Sequence, residues 1–293
     1  MRIVFIGCVS FSLRALNHIS EIGGNISGVC TLQNSKFNAD HADLSEFCNA
    51  HEIPWMETPD INAQEVLDQI REWNPDIIFC FGWSRLLKRD LLAIPPKGVL
   101  GFHPAALPEN RGRHPIIWAL VLGLTETAST FFFMDERADG GDILSQRKVT
   151  ITPDDNATSL YDRICKIALV QISDFFPLLI SGSYKRIQQD EAKANVWRKR
   201  GRADGLIDWR MSAYSIHNLV RGLTHPYVGA SFEFKGTEYK VWKTTAISGA
   251  QSNDEPGKII AFSGISPIVR CGHDRIILNE IEPHISLEVG EYL

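Results

Sequence analysis

Over its first hundred residues the chain alternates short apolar runs with amphipathic stretches, a pattern that leaves few options beyond parallel strands joined by helices. The run Ile3 to Ile6 stops at Gly7, and Leu13, Leu16, Ile19 and Ile22 then recur every three residues behind candidate caps at Ser10 and Ser12. Ile26 to Thr31 reads as a second strand. A helix through Leu44 and Phe47 follows, and then another for which Asn62 and Glu65 offer a capping box. Ile77 to Phe81, Val99 to Phe102 and Thr130 to Met134 extend the series of buried strands. An amphipathic stretch from Asn156 to Ile180 closes the region, with Pro177 expected to end or kink the helix. The expected fold class is α/β, with a Rossmann-like doubly wound sheet.

At 293 residues the chain exceeds what one hydrophobic core usually organises, so a second, smaller domain is expected. The polar, charged stretch Ser181 to Asn195 reads as the linker, which places the Rossmann-like domain at 1–195 and the second domain at 196–293. Five strands are expected in the latter: Val228 to Phe234, Glu238 to Ile247, Lys258 to Phe262, Pro267 to Cys271 and Arg275 to Ile281. A small OB-like β domain accommodates them. Its aromatic residues Trp209, Tyr227, Phe232, Phe234, Tyr239 and Trp242 are expected mainly in its core, with a homodimer interface or a stacking platform as the other uses.

With 44% hydrophobic and 22% charged residues, disordered and collagen-like classes are set aside. Met1 to Leu13 is apolar but has only Arg2 before it, is interrupted by Gly7, Ser10 and Ser12 and continues into a helical pattern, so neither a signal peptide nor a membrane span, and no membrane partner, is expected. The net charge of −5 supplies no field for a polyanion, which disfavours nucleic acid. Six scattered cysteines (Cys8, Cys30, Cys48, Cys80, Cys165 and Cys271) form no metal-type spacing; Cys8, Cys30 and Cys80, at or beside predicted strands, read as buried thiols, and the pattern fits a reducing, cytoplasmic protein.

Chemistry is expected where loops leave the carboxyl ends of the strands. The loop from His103 to Pro115 is stiffened by Pro104 and Pro108, opened by Gly112, and carries Arg111 and Arg113. A second polar cluster, Asp135-Glu136-Arg137-Ala138-Asp139-Gly140-Gly141-Asp142, follows the strand Thr130 to Met134. Either alone reads as an ordinary loop. Together they supply a histidine and a carboxylate, the minimum equipment for proton transfer near neutral pH.

The segment His103 to Gly141 has the form H-x-x-x-L-P-x-x-R-G-R-x-P, followed 36 residues after the histidine by the aspartate of A-D-x-G. It resembles the core of the 10-formyltetrahydrofolate-dependent formyltransferases, which include the methionyl-tRNA formyltransferases, and is most similar to the sugar N-formyltransferases. Weaker similarity extends through the first strand, Pro75 to Leu87, and Leu206-Ile207-Asp208-Trp209. The resemblance implies a catalytic Rossmann-like domain and an OB-like C-terminal domain. It also implies a catalytic pair, His103 and Asp139, and 10-formyltetrahydrofolate as co-substrate. The pterin end would lie against Arg85, Leu86 and Leu87 and against Asp135, Glu136, Arg137 and Ala138, with Arg113 bordering it. His103 would donate a hydrogen bond or proton toward the oxyanion of the tetrahedral intermediate, and Asp139 would take up the amine proton directly or through a water.

No GxGxxG follows the first strand, where Gly7-Cys8-Val9-Ser10-Phe11 stands, so NAD is not expected. No metal is expected either, since His103, His114 and the acids do not form a ligand set. One departure from the family is Gly101-Phe102-His103, where the family usually carries Asn-x-His and uses the asparagine as an oxyanion donor. The expected acceptor is a nucleotide-linked amino sugar, because the loop Gln33 to Asp43 is short and has Lys36 as its basic residue. A methionyl-tRNA acceptor stays open through the basic run Arg198-Lys199-Arg200-Gly201-Arg202. A folate-binding homologue without catalysis stays open through Gly101.

Overall fold

Each apolar run of the first hundred residues becomes a strand with most of its side chains buried. The computed structural model describes residues 1–34, 39–249 and 253–293. In chain order, β1 (Arg2–Ile6), α1 (Ser10–Glu21), β2 (Asn25–Thr31), α2 (Ser45–Ala50), β3 (Trp55–Glu57), α3 (Gln64–Glu72), β4 (Ile77–Cys80), α4 (Arg89–Leu92) and β5 (Val99–His103) alternate strictly. The two-residue strand β6 (Arg111–Gly112), α5 (Pro115–Val121), β7 (Glu126–Phe133), β8 (Ile143–Thr150), α6 (Ala157–Ser181) and the two-residue β9 (Val196–Trp197) follow.

The main sheet has the order β3-β2-β1-β4-β5-β7-β8, with the strands from β3 through β5 parallel and β7 antiparallel to β5. The direction of winding reverses between β1 and β4, the position where open α/β sheets leave a crevice. β8 is a strand that the sequence pattern does not announce. Gln146, Arg147 and Lys148 interrupt its apolar character, and such polar and charged groups suit its place at the sheet edge.

Two expected local features differ. α3 begins at Gln64 behind Ala63 without a side-chain cap, so Asn62 and Glu65 form no capping box. α6 runs through Pro177 to Ser181. By length and composition alone α6 could cross a membrane. However, Leu160, Ile164, Ala168, Ile172, Phe175 and Leu179 form a buried stripe at three- and four-residue spacing. Phe175 meets Phe131 of β7 edge-on at 4.9 Å, and Gln171 donates to the Ser129 carbonyl. This is the packing of a core helix on its own sheet.

The chain divides into two compact units. The first comprises Met1–Pro115, Thr127–Val149 and Asp162–Trp197, and the second Ile116–Glu126, Thr150–Tyr161 and Arg198–Leu293. In the second unit, α7 (Ala213–Leu223) is capped by Ser212, whose hydroxyl accepts the Ser215 amide at 3.0 Å. Strands β10 (Ala230–Phe234), β11 (Thr237–Ile247), β12 (Ile259–Ser263), β13 (Ser266–Arg270) and β14 (Arg275–Glu282) are the five expected from the sequence. They form an antiparallel sheet of order β10-β11-β14-β13-β12. Trp209 and Phe232 lie in its core, and Tyr227, Phe234 and Tyr239 pack partly buried against it. Trp242 instead stacks on His225, ring centroids 4.2 Å apart. All six cysteines are buried and unbridged, and burial pushes the Cys30 and Cys80 thiols far up and those of Cys48 and Cys271 up to about 12.

Candidate active site

His103 ends β5 with its side chain only 6% exposed. Its Nε2 lies 2.8 Å from the carbonyl oxygen of Asn110. A carbonyl only accepts, so Nε2 carries the proton, and the ring is held by the loop it introduces. Nδ1, the other nitrogen, faces the Oδ2 of Asp139 at 3.8 Å. That oxygen accepts the Gly112 amide at 2.8 Å. The structure thus brings together the histidine and the aspartate singled out in the sequence.

They meet by a route that the carboxyl-end rule does not describe. β7 pairs with β5 antiparallel, Phe133 opposite Leu100 and Thr130 opposite His103. The segment after β7 therefore starts level with the beginning of β5 and must travel back about 10 Å along it, at 3.3–3.4 Å per residue, to bring Asp139 to His103. Gly101 lies on this path. It shares the His103 side of β5 by the two-residue alternation of a strand. A Cβ placed there would meet Met134 Cγ at 2.9 Å and the Phe132 ring at 3.0 Å. The position where the resemblance expects an asparagine is thus covered by an apolar thioether and a phenyl edge.

The loop after His103 is held at several points. Thr130 Oγ1 donates to the Ala105 carbonyl at 2.7 Å, and Gln146 Nε2 to the Leu107 carbonyl at 2.8 Å. Of the seven non-glycine residues with left-handed backbone among the described residues, three belong to this site: Asn110 (φ 64°), His114 (φ 57°) and Asp139 (φ 54°). Such concentrations of backbone strain persist only where the surroundings hold them.

Much of that support comes from the stretch read as a linker. Its end pairs β9 with β6, Arg113 N donates to the Trp197 carbonyl, and Arg111 N to the Asn195 carbonyl, both at 3.1 Å. Asn110 N donates to Asn195 Oδ1 at 2.6 Å. Gly112, at φ 101°, allows the approach, since a Cβ there would stand 2.3 Å from the Trp197 oxygen. The buried Arg111 forks onto Glu191 with two 2.9 Å hydrogen bonds and holds that carboxyl below the usual range. No sequence signal marks this strap, because its polar composition matches that of a solvated linker.

The remaining residues named from the resemblance lie on two loops. Arg85 is exposed, Leu86 is 66% exposed, and the Leu87 side chain is buried in the core beside Val4 and Ile78, leaving only its backbone to face a ligand. Asn62, released from capping, pins this turn: its Nδ2 donates to the Leu86 carbonyl at 3.0 Å and its Oδ1 accepts the Lys88 amide at 2.7 Å. Arg113 reaches the same loop through the Ser84 carbonyl at 3.0 Å. On the second loop, Arg137 folds onto Asp135 (Nε to Oδ2, 3.0 Å) and reaches Glu191 at 2.8 Å, Glu136 lies 3.9 Å from Arg89, and Ala138 is exposed. Lys36, the basic residue of the loop Gln33 to Asp43, lies outside the described residues.

In the second unit, Arg198 and Arg202 of the basic run are paired within the unit, with Asp204 and Glu238 at 2.8 Å each. Arg200 is buried, donates to the Asp204 carbonyl and lies over the Trp118 ring at 4.6 Å. The Arg198 hydrogen bond holds the Asp204 carboxyl well below the usual range.

Residues 1–172 match the family described as formyl transferase, and residues 200–288 match the formyl transferase C-terminal domain. Methionyl-tRNA formyltransferases of Geobacter metallireducens and Geobacter sulfurreducens are 33% and 30% identical over 286 residues. The matches cover 96% of this chain and 91% and 89% of those proteins. Among solved structures, the sugar 3N-formyl transferase WlaRD, determined with dTDP and 5-N-formyl-THF, is 17% identical with a TM-score of 0.71, covering 97% of this chain and 99% of that one. An N-formyltransferase from Helicobacter canadensis, in complex with folinic acid and dTDP-3-aminofucose, is 15% identical with a TM-score of 0.72, covering 94% and 98%. At these identities the structures establish likeness of fold.

Proposed function

The chain belongs to the formyl transferase family, and from that premise we propose that it moves a formyl group from 10-formyltetrahydrofolate to the amino group of a nucleotide-linked amino sugar. The observation that carries the chemistry is the His103–Asp139 pair. Since Nε2 is engaged with the Asn110 carbonyl, Nδ1 is the ring atom left to act on the reacting group. Protonated there, His103 donates toward the formyl oxygen as negative charge develops on it, and the Asp139 carboxylate offsets the ring's charge. Asp139 also accepts the proton lost by the attacking amine, directly or through a water. The co-substrate supplies the formyl carbonyl; as the bond from the formyl carbon to N10 breaks, N10 leaves with the proton that Asp139 took from the amine, which returns the carboxylate to its starting state.

The turn Arg85-Leu86-Leu87 fits a flat, partly polar ring system. Asn62 and Arg113 hold its backbone while Leu86 stays open to solvent. Asp135, Glu136, Arg137 and Ala138 form the opposite wall in this reading.

The acceptor reading rests on the basic run, whose arginines are neutralised or buried inside their own unit and leave little free charge for a phosphate backbone. A methionyl-tRNA acceptor is the second reading, favoured by the Geobacter relatives. Release of tetrahydrofolate from 10-formyltetrahydrofolate, measured with a panel of nucleotide-linked amino sugars beside charged and uncharged initiator tRNA, separates the two. Turnover with charged tRNA alone would overturn the sugar reading and leave the transfer chemistry standing. The buried, unbridged cysteines suit a reducing compartment, and we infer the cytoplasm.

A further inference from the structure

Gln189 is buried, 5% exposed, in the strap that carries Glu191 and Asn195, and its amide is fully used. Nε2 donates to two backbone carbonyls, Asp139 at 2.8 Å and Gly141 at 2.6 Å. Oε1 accepts two N–H groups of Arg111, Nε at 3.2 Å and Nη2 at 2.8 Å. An Arg fork can only donate, so it fixes which way the amide points and aims both amide hydrogens at the turn that bears Asp139. That turn needs support. Asp139 sits at φ 54°, a left-handed conformation that costs a non-glycine residue backbone energy although aspartate bears it better than most, and it must end a run back along β5 to meet His103. Its side chain is restrained by the Gly112 amide and its backbone by Gln189, and Gly112 and Arg111 adjoin one another in the histidine loop.

We propose that Gln189, oriented by Arg111, is a positioning residue that sets the Asp139 carboxylate against His103, so that the strap 187–197 works as part of the catalytic apparatus. The proposal rests on the reading of His103 and Asp139 as the catalytic pair. Gln189 acts through Asp139 and touches no reacting atom.

The test is Gln189→Glu, nearly isosteric, which keeps the partner for Arg111 but sets an acceptor against two acceptor carbonyls. Turnover should fall about 10- to 100-fold, the loss associated with misplacing a reacting group by an ångström, while the acceptor KM stays unchanged. Added to Asp139→Asn, the same change should cost less than about twofold, because the group it positions is already gone. An equal loss in both backgrounds, or none in the otherwise native enzyme, would overturn the proposal. A crystal structure of Gln189→Glu should show the turn relaxed and the carboxylate withdrawn from His103, and an unmoved turn would overturn it whatever the kinetics. Near-normal turnover by Asp139→Asn alone would sink the catalytic reading of the pair, and the crystal structure would still judge the clamp. Should Gln189→Glu not fold, Arg111→Lys serves: it keeps a charge for Glu191 but removes the fork, and the same split between kcat and KM is expected.

Discussion

Asp139 Oδ2 stands 3.8 Å from His103 Nδ1 although the strands that carry the two residues run in opposite directions. The contact therefore depends on the path of the segment between Met134 and Asp139, and whatever disturbs that path disturbs the contact. His103→Ala and Asp139→Asn should each lower turnover by about a hundredfold or more with the fold retained by circular dichroism. A folded His103→Ala enzyme with near-normal turnover would remove His103 from the mechanism.

Gly101→Asn, which installs the residue that the resemblance implies at this position, should not raise activity. The new Cβ would meet Met134 Cγ at 2.9 Å and the Phe132 ring at 3.0 Å, and such overpacking costs about 1–3 kcal/mol. Urea denaturation should show that loss, and adding Met134→Ala should recover part of it. Full stability for the single variant would mean that the segment yields more easily than its packing implies.

Gly112→Ala combines left-handed backbone with a Cβ 2.3 Å from the Trp197 carbonyl oxygen. A loss of at least about 1 kcal/mol is expected. Because the Gly112 amide also holds Asp139, turnover should fall in the fraction that remains folded. Stability and single-turnover rate measured on one preparation check both.

Asn62→Leu removes two hydrogen bonds from the turn at Leu86 and Lys88. At about 1 kcal/mol each, their loss should raise the KM for the formyl donor by roughly tenfold or more, with kcat at saturating donor nearly unchanged. A fall in kcat at unchanged KM would separate this turn from the folate.

His217 gives the second unit a pH dependence. Burial, reinforced by Arg221, lowers its pKa, while in the unfolded chain it titrates near the ordinary histidine value of about 6.5. The unfolded state then binds more protons in the window below about pH 6.5, so stability is full above it and declines as pH falls toward the folded pKa. His217→Gln should flatten that limb in urea midpoints measured between pH 5 and pH 7.5. An unchanged slope would assign the acid sensitivity to other groups.

Much of the fold and the two central residues were legible in the sequence. The apolar runs that begin at Ile3, Ile77 and Val99 announce strands because burial on both faces demands continuous apolar runs, and the five β segments after residue 200 announce themselves by their turns. Neither the His103 loop nor the 135–142 cluster differs alone from an ordinary polar loop; taken together they supply a histidine and a carboxylate, and the spacing of the motif around them carries the resemblance that names the pair. β8 was hidden, since an edge strand tolerates the charges of Arg147 and Lys148, and Asn62 looked like a cap because capping and loop pinning use the same amide.

Local periodicity determined the α/β sheet and the antiparallel β unit, because those signals act over a few residues; residue chemistry marked the two polar loops, and the motif's resemblance to a family singled out His103 and Asp139 within them. Only the tertiary structure decided the direction of β7, the filling of the Gly101 position by Met134 and Phe132, and the use of Gln189 and Asn195 as supports for the site. Each is a contact between residues that no local pattern couples. Sheet order and packing settle such contacts, and with them which ring nitrogen of His103 faces Asp139.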